Sequence, residues 1–353
     1  MTTLDQIVDL LELEAEIAAG YINRRFHPEF PQLATVGYSD KCQFDNHWTP
    51  ATKACRGIIY DAETLEVIAR PFAKFFNYGQ SDPGDFDPDA PILGAFDKFD
   101  GSLGIRYTRP DGRTAIATRG SFDSEQARHA TALAWREGWQ PADGRMTALY
   151  EIIYPENRIV IDYGDRDELV YLGAVDIETG EYLPPAEVST VGNTLAEVLA
   201  LEPRKNAEGY VIWLDPWRAV KLKQQDYLEL HRIVSSLSVK EVWRQLRAGT
   251  FDDFAMALPD EFHEWARITS AGLIDSFTEL EMQAQYFYER VLERGFPDRK
   301  SQALWLIANA AEVKGYVFSL LDGKEIGDGI WRAIEPSGAV TEIPTVELLS
   351  ARR

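Results

Sequence analysis

Lys98 stands two residues ahead of Asp100-Gly101, with Ser102 directly after. A primary amine held beside such a turn can serve as a covalent nucleophile, provided it loses its proton. A free lysine, with a pKa of about 10.4, keeps that proton at neutral pH. Desolvation, neighbouring cations and a bound magnesium ion each favour the neutral amine. Lys221 and Lys223 alternate in Lys-Leu-Lys, so on a strand both project from one face and could grip a phosphate. The same alternation also describes the solvated face of a strand. Glu208 opens the preceding half of the same expected hairpin, which would bring carboxylate and cations into one groove.

Glu151 interrupts the apolar run Tyr150-Glu151-Ile152-Ile153-Tyr154, where a charge must be paired or bind a metal. An ion pair with a nearby arginine would satisfy it as well. Asp100, Glu151 and Glu208 are hard oxygen donors suited to magnesium or its waters. Arg56, Lys74 and Arg119 add cations suited to phosphates. Neither a Gly-x-x-x-x-Gly-Lys loop nor a Gly-x-Gly-x-x-Gly stretch occurs, so side chains would have to grip any phosphate.

These residues need a scaffold, and the pattern supplies two kinds. From Ala54 to Lys223 the chain reads mostly as strands: Leu103 to Tyr107, Ala148 to Tyr154, Arg158 to Tyr163, and a hairpin over Glu208 to Lys223 turning at Asp215-Pro216-Trp217. A helix is expected around Ser124 to Trp139 and another within Met1 to Ala19, whose acidic residues are unlike a secretion signal. After about His231 the pattern turns helical, over Val239 to Arg247, Leu273 to Arg294 and Lys300 to Leu321. The segment with Pro336, Gly338 and Pro344 reads as a loose tail. An α+β domain of antiparallel sheets with flanking helices, 1–233, followed by an all-α domain, 234–353, is the expected architecture.

A length of 353 residues suits two domains. With 45% hydrophobic residues and no long uncharged apolar run, a soluble globular protein without membrane contact is expected. Two cysteines, Cys42 and Cys55, give no disulfide framework and no zinc or redox pair, so a reducing cytoplasm is the expected compartment and Cys55 reads as buried and structural. The five histidines have no metal-ligand spacing. A net charge of −21 argues against a non-specific nucleic-acid binder, leaving any such contact to a local basic groove.

The motifs occur in the order found in the RNA ligase 1 family, which this sequence resembles from about Ala54 to His231. They are Cys55-Arg56-Gly57-Ile58, Arg70 to Asn77, Lys98 to Ser102, Gly120-Ser121 and Ser124 to Ala127. Further on come Glu151 with Pro155 to Val160, Glu178 to Tyr182, Glu208 to Val211, and Lys221 to Lys223 with Tyr227 and His231. Weaker likenesses lie at Ala248 to Asp253 and Asp298 to Lys300.

The resemblance implies a ligase-type nucleotidyltransferase domain unrelated to the ATP-grasp fold. Its reaction would pass AMP from ATP to Lys98, then to an RNA 5′-phosphate, before a 3′-hydroxyl seals the strand. Lys221 and Lys223 would meet the α-phosphate. Arg56, Lys74, Phe76 and Arg119 would line the nucleotide site together with Gly101 and Val211. Glu151 would contact the ribose or metal-bound water, while Glu208 and Asp252 would face the water shell of magnesium or manganese. Arg119 departs from the lysine of the family's phage representative, keeping charge but changing geometry. The implied partners are single-stranded or nicked-loop RNA ends, tRNA among them, and an end-healing kinase-phosphatase acting upstream. Capping enzymes, DNA ligases and a non-catalytic RNA-end-binding protein are the alternative readings.

Overall fold

The computed structural model describes residues 1–80, 86–142, 144–186, 190–228, 237–256, 258 and 260–336. They form two compact units, one ending before residue 229 and one beginning after 236. The expected boundary at 233, His231 and the segment beyond Pro336 lie outside the described residues.

In the first unit a short 3-10 turn, Leu4–Gln6, precedes α1 (Leu10–Ala18), where the Asp9 carboxylate caps the helix by accepting the N–H of Glu12. Two strands then precede the expected start of the β region. In β1 (Ile22–Phe26) the run Asn-Arg-Arg masks the alternation, and β2 (Leu33–Tyr38) is buried throughout, so neither displays a period of two. After α2 (Asp40–Phe44) and α3 (Pro50–Ala54), β3 (Arg56–Asp61) and β4 (Val67–Ala69) complete an antiparallel sheet in the order β1-β2-β3-β4.

The next strands divide between two sheets. β5 (Phe76–Asn77) and β6 (Gly94–Lys98) are the edges of one, ordered β5-β13-β12-β6, whose centre is the expected hairpin of β12 (Gly209–Trp213) and β13 (Ala219–Lys223). β7 (Ser102–Thr108), β8 (Thr114–Ala117), β9 (Met146–Ile153), β10 (Glu168–Asp176) and β11 (Tyr182–Leu183) form the other, ordered β11-β10-β9-β7-β8. Every pairing is antiparallel except β5 with β13. Ile59, Phe75, Ile105, Leu149, Val175 and Trp213 join all three sheets in one apolar cluster. The helix expected near Ser124 is α4 (Glu125–Arg136), capped by the Ser124 hydroxyl. Cys42 and Cys55 are both buried and free; burial pushes their thiols up, to about 11 and about 12.

One expected strand is absent. Residues 158–163 form a loop, in which the main-chain N–H groups of Val160 and Ile161 bond the Asp100 side chain instead of a neighbouring strand. Ile159 is exposed, whereas Val160 and Ile161 pack on Tyr227. Alternating Ile-Val-Ile produced the strand reading; the acceptor that holds the loop lies 60 residues earlier.

The second unit is helical. Val239–Ala248, Phe251–Met256, Asp260–Arg294, Arg299–Asn309, Lys314–Leu321 and Gly327–Ala333 are its described helices. The helix expected from Leu273 begins earlier, at Asp260, and its two ends serve separate clusters: Phe262, Trp265 and Ala266 with Val242, and Ala284 and Val291 with Leu306, Val317 and Ile330. The single helix expected from Lys300 to Leu321 is two, broken where Ala310 leaves the helical conformation at φ −154°, ψ 46°. That break lets Leu306, Val313 and Val317 all face the same cluster. Among the described residues no helix is long and apolar enough to cross a membrane.

Candidate active site

The β6-β12-β13 register builds the site. Gly209 pairs with Lys98 on one side and with Lys223 on the other, so the three residues form one row across the sheet. Two residues along, Phe96, Val211 and Lys221 form the next row on the same face. Glu208 is buried at the head of this array, and its Oε1 lies 2.6 Å from Lys98 Nζ and 3.2 Å from Lys223 Nζ. A second cation thus lies near Lys98, with a carboxylate between the two ammonium groups. Glu208 Oε2 is buried without a hydrogen-bond partner among the described residues. An orphaned carboxylate oxygen facing this row fits a cation or its bound water.

Asp100 is an anchor for the turn and the loop packed against it. Its Oδ2 accepts the N–H groups of Val160 (2.8 Å) and Ile161 (2.7 Å), its Oδ1 accepts the Tyr227 hydroxyl (2.8 Å), and its own N–H bonds Tyr163 Oη (2.8 Å). Both oxygens thus anchor the turn that presents Lys98. Lys223 Nζ lies 5.2 Å from the Tyr227 ring, closing a loop of contacts from Lys98 through Glu208, Lys223 and Tyr227 back to Asp100. Among the described residues no group of three or more His, Cys, Asp or Glu side chains could hold a metal ion unaided. Magnesium that binds through one or two carboxylates plus substrate phosphates would not need such a cage.

Glu151 approaches from β9. Its Oε1 accepts the N–H of Gly101 at 3.1 Å, and Gly101 must be glycine, because a Cβ there would fall 2.6 Å from the Ile152 carbonyl oxygen. Although part of its surface reaches the groove, desolvation pushes the Glu151 carboxyl up to about 7. The Lys98 charge opposes that shift, the Glu208 charge reinforces it, and the Gly101 N–H and the Arg56 charge oppose it. A raised folded-state value means that the native protein holds a proton the unfolded chain has released between about pH 4.5 and pH 7. Stability therefore falls as pH rises through that window, by about 3 kcal/mol for this group. Glu151→Gln is expected to remove that part of the slope, read as the difference between wild-type and variant urea midpoints at pH 5 and pH 8. Parallel pH dependence in the two proteins would contradict this assignment.

Arg56 lies 4.6 Å from the Phe72 ring and 5.2 Å from the Phe75 ring, with Nε and Nη1 buried and lacking partners among the described residues. Unsatisfied guanidinium donors suit an anion. Lys221 lies 5.5 Å from the same Phe75 ring, beside Val211 and Asn77 in the sheet. Lys74, Phe76 and Arg119 form a neighbouring cluster around Tyr38. Asp252 is exposed in the first turn of Phe251–Met256 in the second unit. Residues outside the sequence reading also support the site. Arg204 bonds Asp97 at 2.8 Å and the Gly209 carbonyl at 3.3 Å, and Trp48 packs against Phe76; neither stands in a periodic segment that would have singled it out.

Residues 54–198 match the RNA ligase family model. Over that stretch the chain is similar to RNA ligases. RNA ligase 1 of bacteriophage TS2126 is 33% identical over 157 residues, which are 38% of each chain. A Thermovibrio ammonificans protein proposed to be an RNA ligase is 29% identical over 185 residues, 46% of this chain and 47% of its own. An Autographa californica nuclear polyhedrosis virus protein, proposed to be a bifunctional polynucleotide kinase/RNA ligase, is 26% identical over 249 residues, 60% of this chain and 35% of that one. The chain thus spans less than half the length of each of these relatives. The RNA ligase match takes in Arg56, Lys74, Phe76, Lys98, Asp100, Gly101, Arg119 and Glu151. It stops short of Glu208, Val211, Lys221 and Lys223, whose place in the site rests on the sheet register.

Proposed function

We propose that this chain is an ATP-dependent RNA ligase that works through a lysyl-AMP on Lys98. Neutral Lys98 Nζ attacks the α-phosphorus of ATP; an N–P bond forms, the bond to pyrophosphate breaks, and the nitrogen gives up a proton. An oxygen of an RNA 5′-phosphate then displaces the lysine, leaving a 5′-adenylylated RNA end and the free amine. A 3′-hydroxyl attacks that end's 5′-phosphorus, AMP leaves, and a phosphodiester remains. Dividing the condensation in this way gives each step a good leaving group.

The observation that carries this reading is buried Glu208 between the half-buried Lys98 of β6 and Lys223 of β13, with one Glu208 oxygen unpartnered among the described residues. Attack requires Lys98 to leave that carboxylate. Lys221, Lys223 and Arg56 would neutralise the α-phosphate side of the nucleotide. Magnesium or manganese would be held by Glu208 and Glu151 together with phosphate oxygens, adding positive charge beside the reacting phosphorus. Asp252 enters the reading through the family resemblance alone.

RNA, as opposed to DNA or a cap structure, is favoured by the match over 54–198. Single-stranded or nicked-loop RNA ends are the substrate class, nicked tRNA among them. A kinase-phosphatase acting upstream would supply the 5′-phosphate and 3′-hydroxyl, in keeping with the two activities joined in the viral relative's name. The test is to incubate the full chain with magnesium and ATP labelled at the α-phosphate, and look for label that survives denaturing electrophoresis. The label should then pass to an RNA 5′-phosphate in preference to DNA, and GTP should not replace ATP. A protein that takes up no label from ATP would sink the reading.

A further inference from the structure

Strand order gives the nucleotide tail a direction. β6, with Lys98, is one edge of the four-stranded sheet and β5 is the other, three strand spacings or roughly 14 Å away. With the α-phosphate at Lys98, the two outer phosphates would extend over β13 toward the β5 edge. There Lys74 is 8% exposed, and its Nζ lies 4.7 Å from the Trp48 ring centroid, 5.3 Å from Tyr38 and 5.4 Å from Phe76.

The rings stand nearly perpendicular to one another, at 84° between Tyr38 and Trp48 and 81° between Trp48 and Phe76. They wall the ammonium on three sides. Arg119 lies over the same Tyr38 ring at 4.5 Å, so two cations converge on one phenol. Desolvating an ammonium is costly, and aromatic faces offset part of that cost. Trp48 is the nearest of the three rings and is set by a loop, independent of the sheet. Its indole N–H donates to Asn46 Oδ1 at 2.8 Å, and Asn46 adopts φ 52° between α2 and α3.

We propose that Trp48 is a positioning residue for the triphosphate of ATP. It holds the Lys74 ammonium where the β- and γ-phosphates arrive, and so acts in formation of the lysyl-adenylate and not in sealing. This inference rests on the ligase reading of Lys98. Once pyrophosphate has left, no outer phosphate remains for Lys74 to hold, and the two halves of the reaction should respond differently to Trp48.

The experiment compares Trp48→Leu, which keeps apolar bulk without a ring, with Trp48→Phe, which keeps a ring. Two rates are measured on the full chain with magnesium: labelling by ATP as a function of ATP concentration, and sealing of RNA that already carries a 5′-adenylate. Trp48→Leu is expected to lower kcat/KM for ATP in labelling by about tenfold or more, with Trp48→Phe within about threefold of wild type. Both variants should seal adenylylated RNA within about twofold of wild type, which also reports that they are folded. Equal losses in Leu and Phe variants, or equal losses in both reactions, would overturn the assignment of Trp48 while leaving the Lys98 reading intact. A wild-type protein that takes no label overturns both.

Discussion

Lys98→Ala is expected to abolish labelling by ATP while leaving the protein folded. The nucleophile is the one atom in the proposed site that no neighbour can replace, since Lys223 shares its carboxylate but stands two strands away. Removing one partner of a buried ion pair is ordinarily severe, because the other charge is left uncompensated. Here Glu208 keeps Lys223 at 3.2 Å, so the expected loss of stability is about 1–2 kcal/mol. Lys98→Arg should be equally inactive in labelling, since a guanidinium keeps its proton at any working pH. Both variants should still seal RNA supplied with a 5′-adenylate, because that step does not form a bond to Lys98. Labelling that persists in Lys98→Ala, with an unchanged melting curve, would show that another residue carries the nucleotide.

The sequence made some of this arrangement legible because the information was local. Lys98 and Asp100-Gly101 announce a nucleophile and a turn within five residues, and Lys221-Leu222-Lys223 states its own two-residue period. Register is not local. The hairpin that pairs Gly209 with Lys223 is local, but the pairing of Gly209 with Lys98 spans more than a hundred residues, and no composition or spacing encodes it. The anchoring of Asp100 is hidden for the same reason: its Oδ2 accepts the N–H groups of Val160 and Ile161, whose alternating apolar pattern looks like a strand. Glu151 is visible in the sequence as a charge in an apolar strand, but the rise of its carboxyl follows from burial, reinforced by the Glu208 charge and opposed by Lys98, Gly101 and Arg56, none of which is adjacent in sequence. In the helical unit the apolar period continues through Ala310 while the helix does not, and the residues on both sides of the break pack in one cluster with Ala284 and Val291.

Gly209→Ala should cost both stability and activity, because the register that builds the site leaves no room for a methyl group. Gly209 has φ +146°, a backbone conformation that L side chains rarely adopt, and a Cβ there would fall 1.9 Å from the Leu222 carbonyl oxygen and 2.8 Å from Lys223 Cα. The obstruction is backbone, so no side-chain rotation can relieve it; β13 must move away from β12, or residue 209 must turn over. Either response takes Lys223 off Glu208 and breaks the row that holds Lys98. A loss of about 2–4 kcal/mol in unfolding free energy and at least about a thousandfold loss in labelling are expected. Gly272→Ala is the matched control. It lies within the helix Asp260–Arg294 with nothing within 4 Å of the added methyl, and should leave labelling unchanged while raising stability by up to about 1 kcal/mol. Wild-type labelling in Gly209→Ala would mean that β12 and β13 tolerate a shifted register, and that the Lys98, Glu208 and Lys223 row is not what activates the nucleophile.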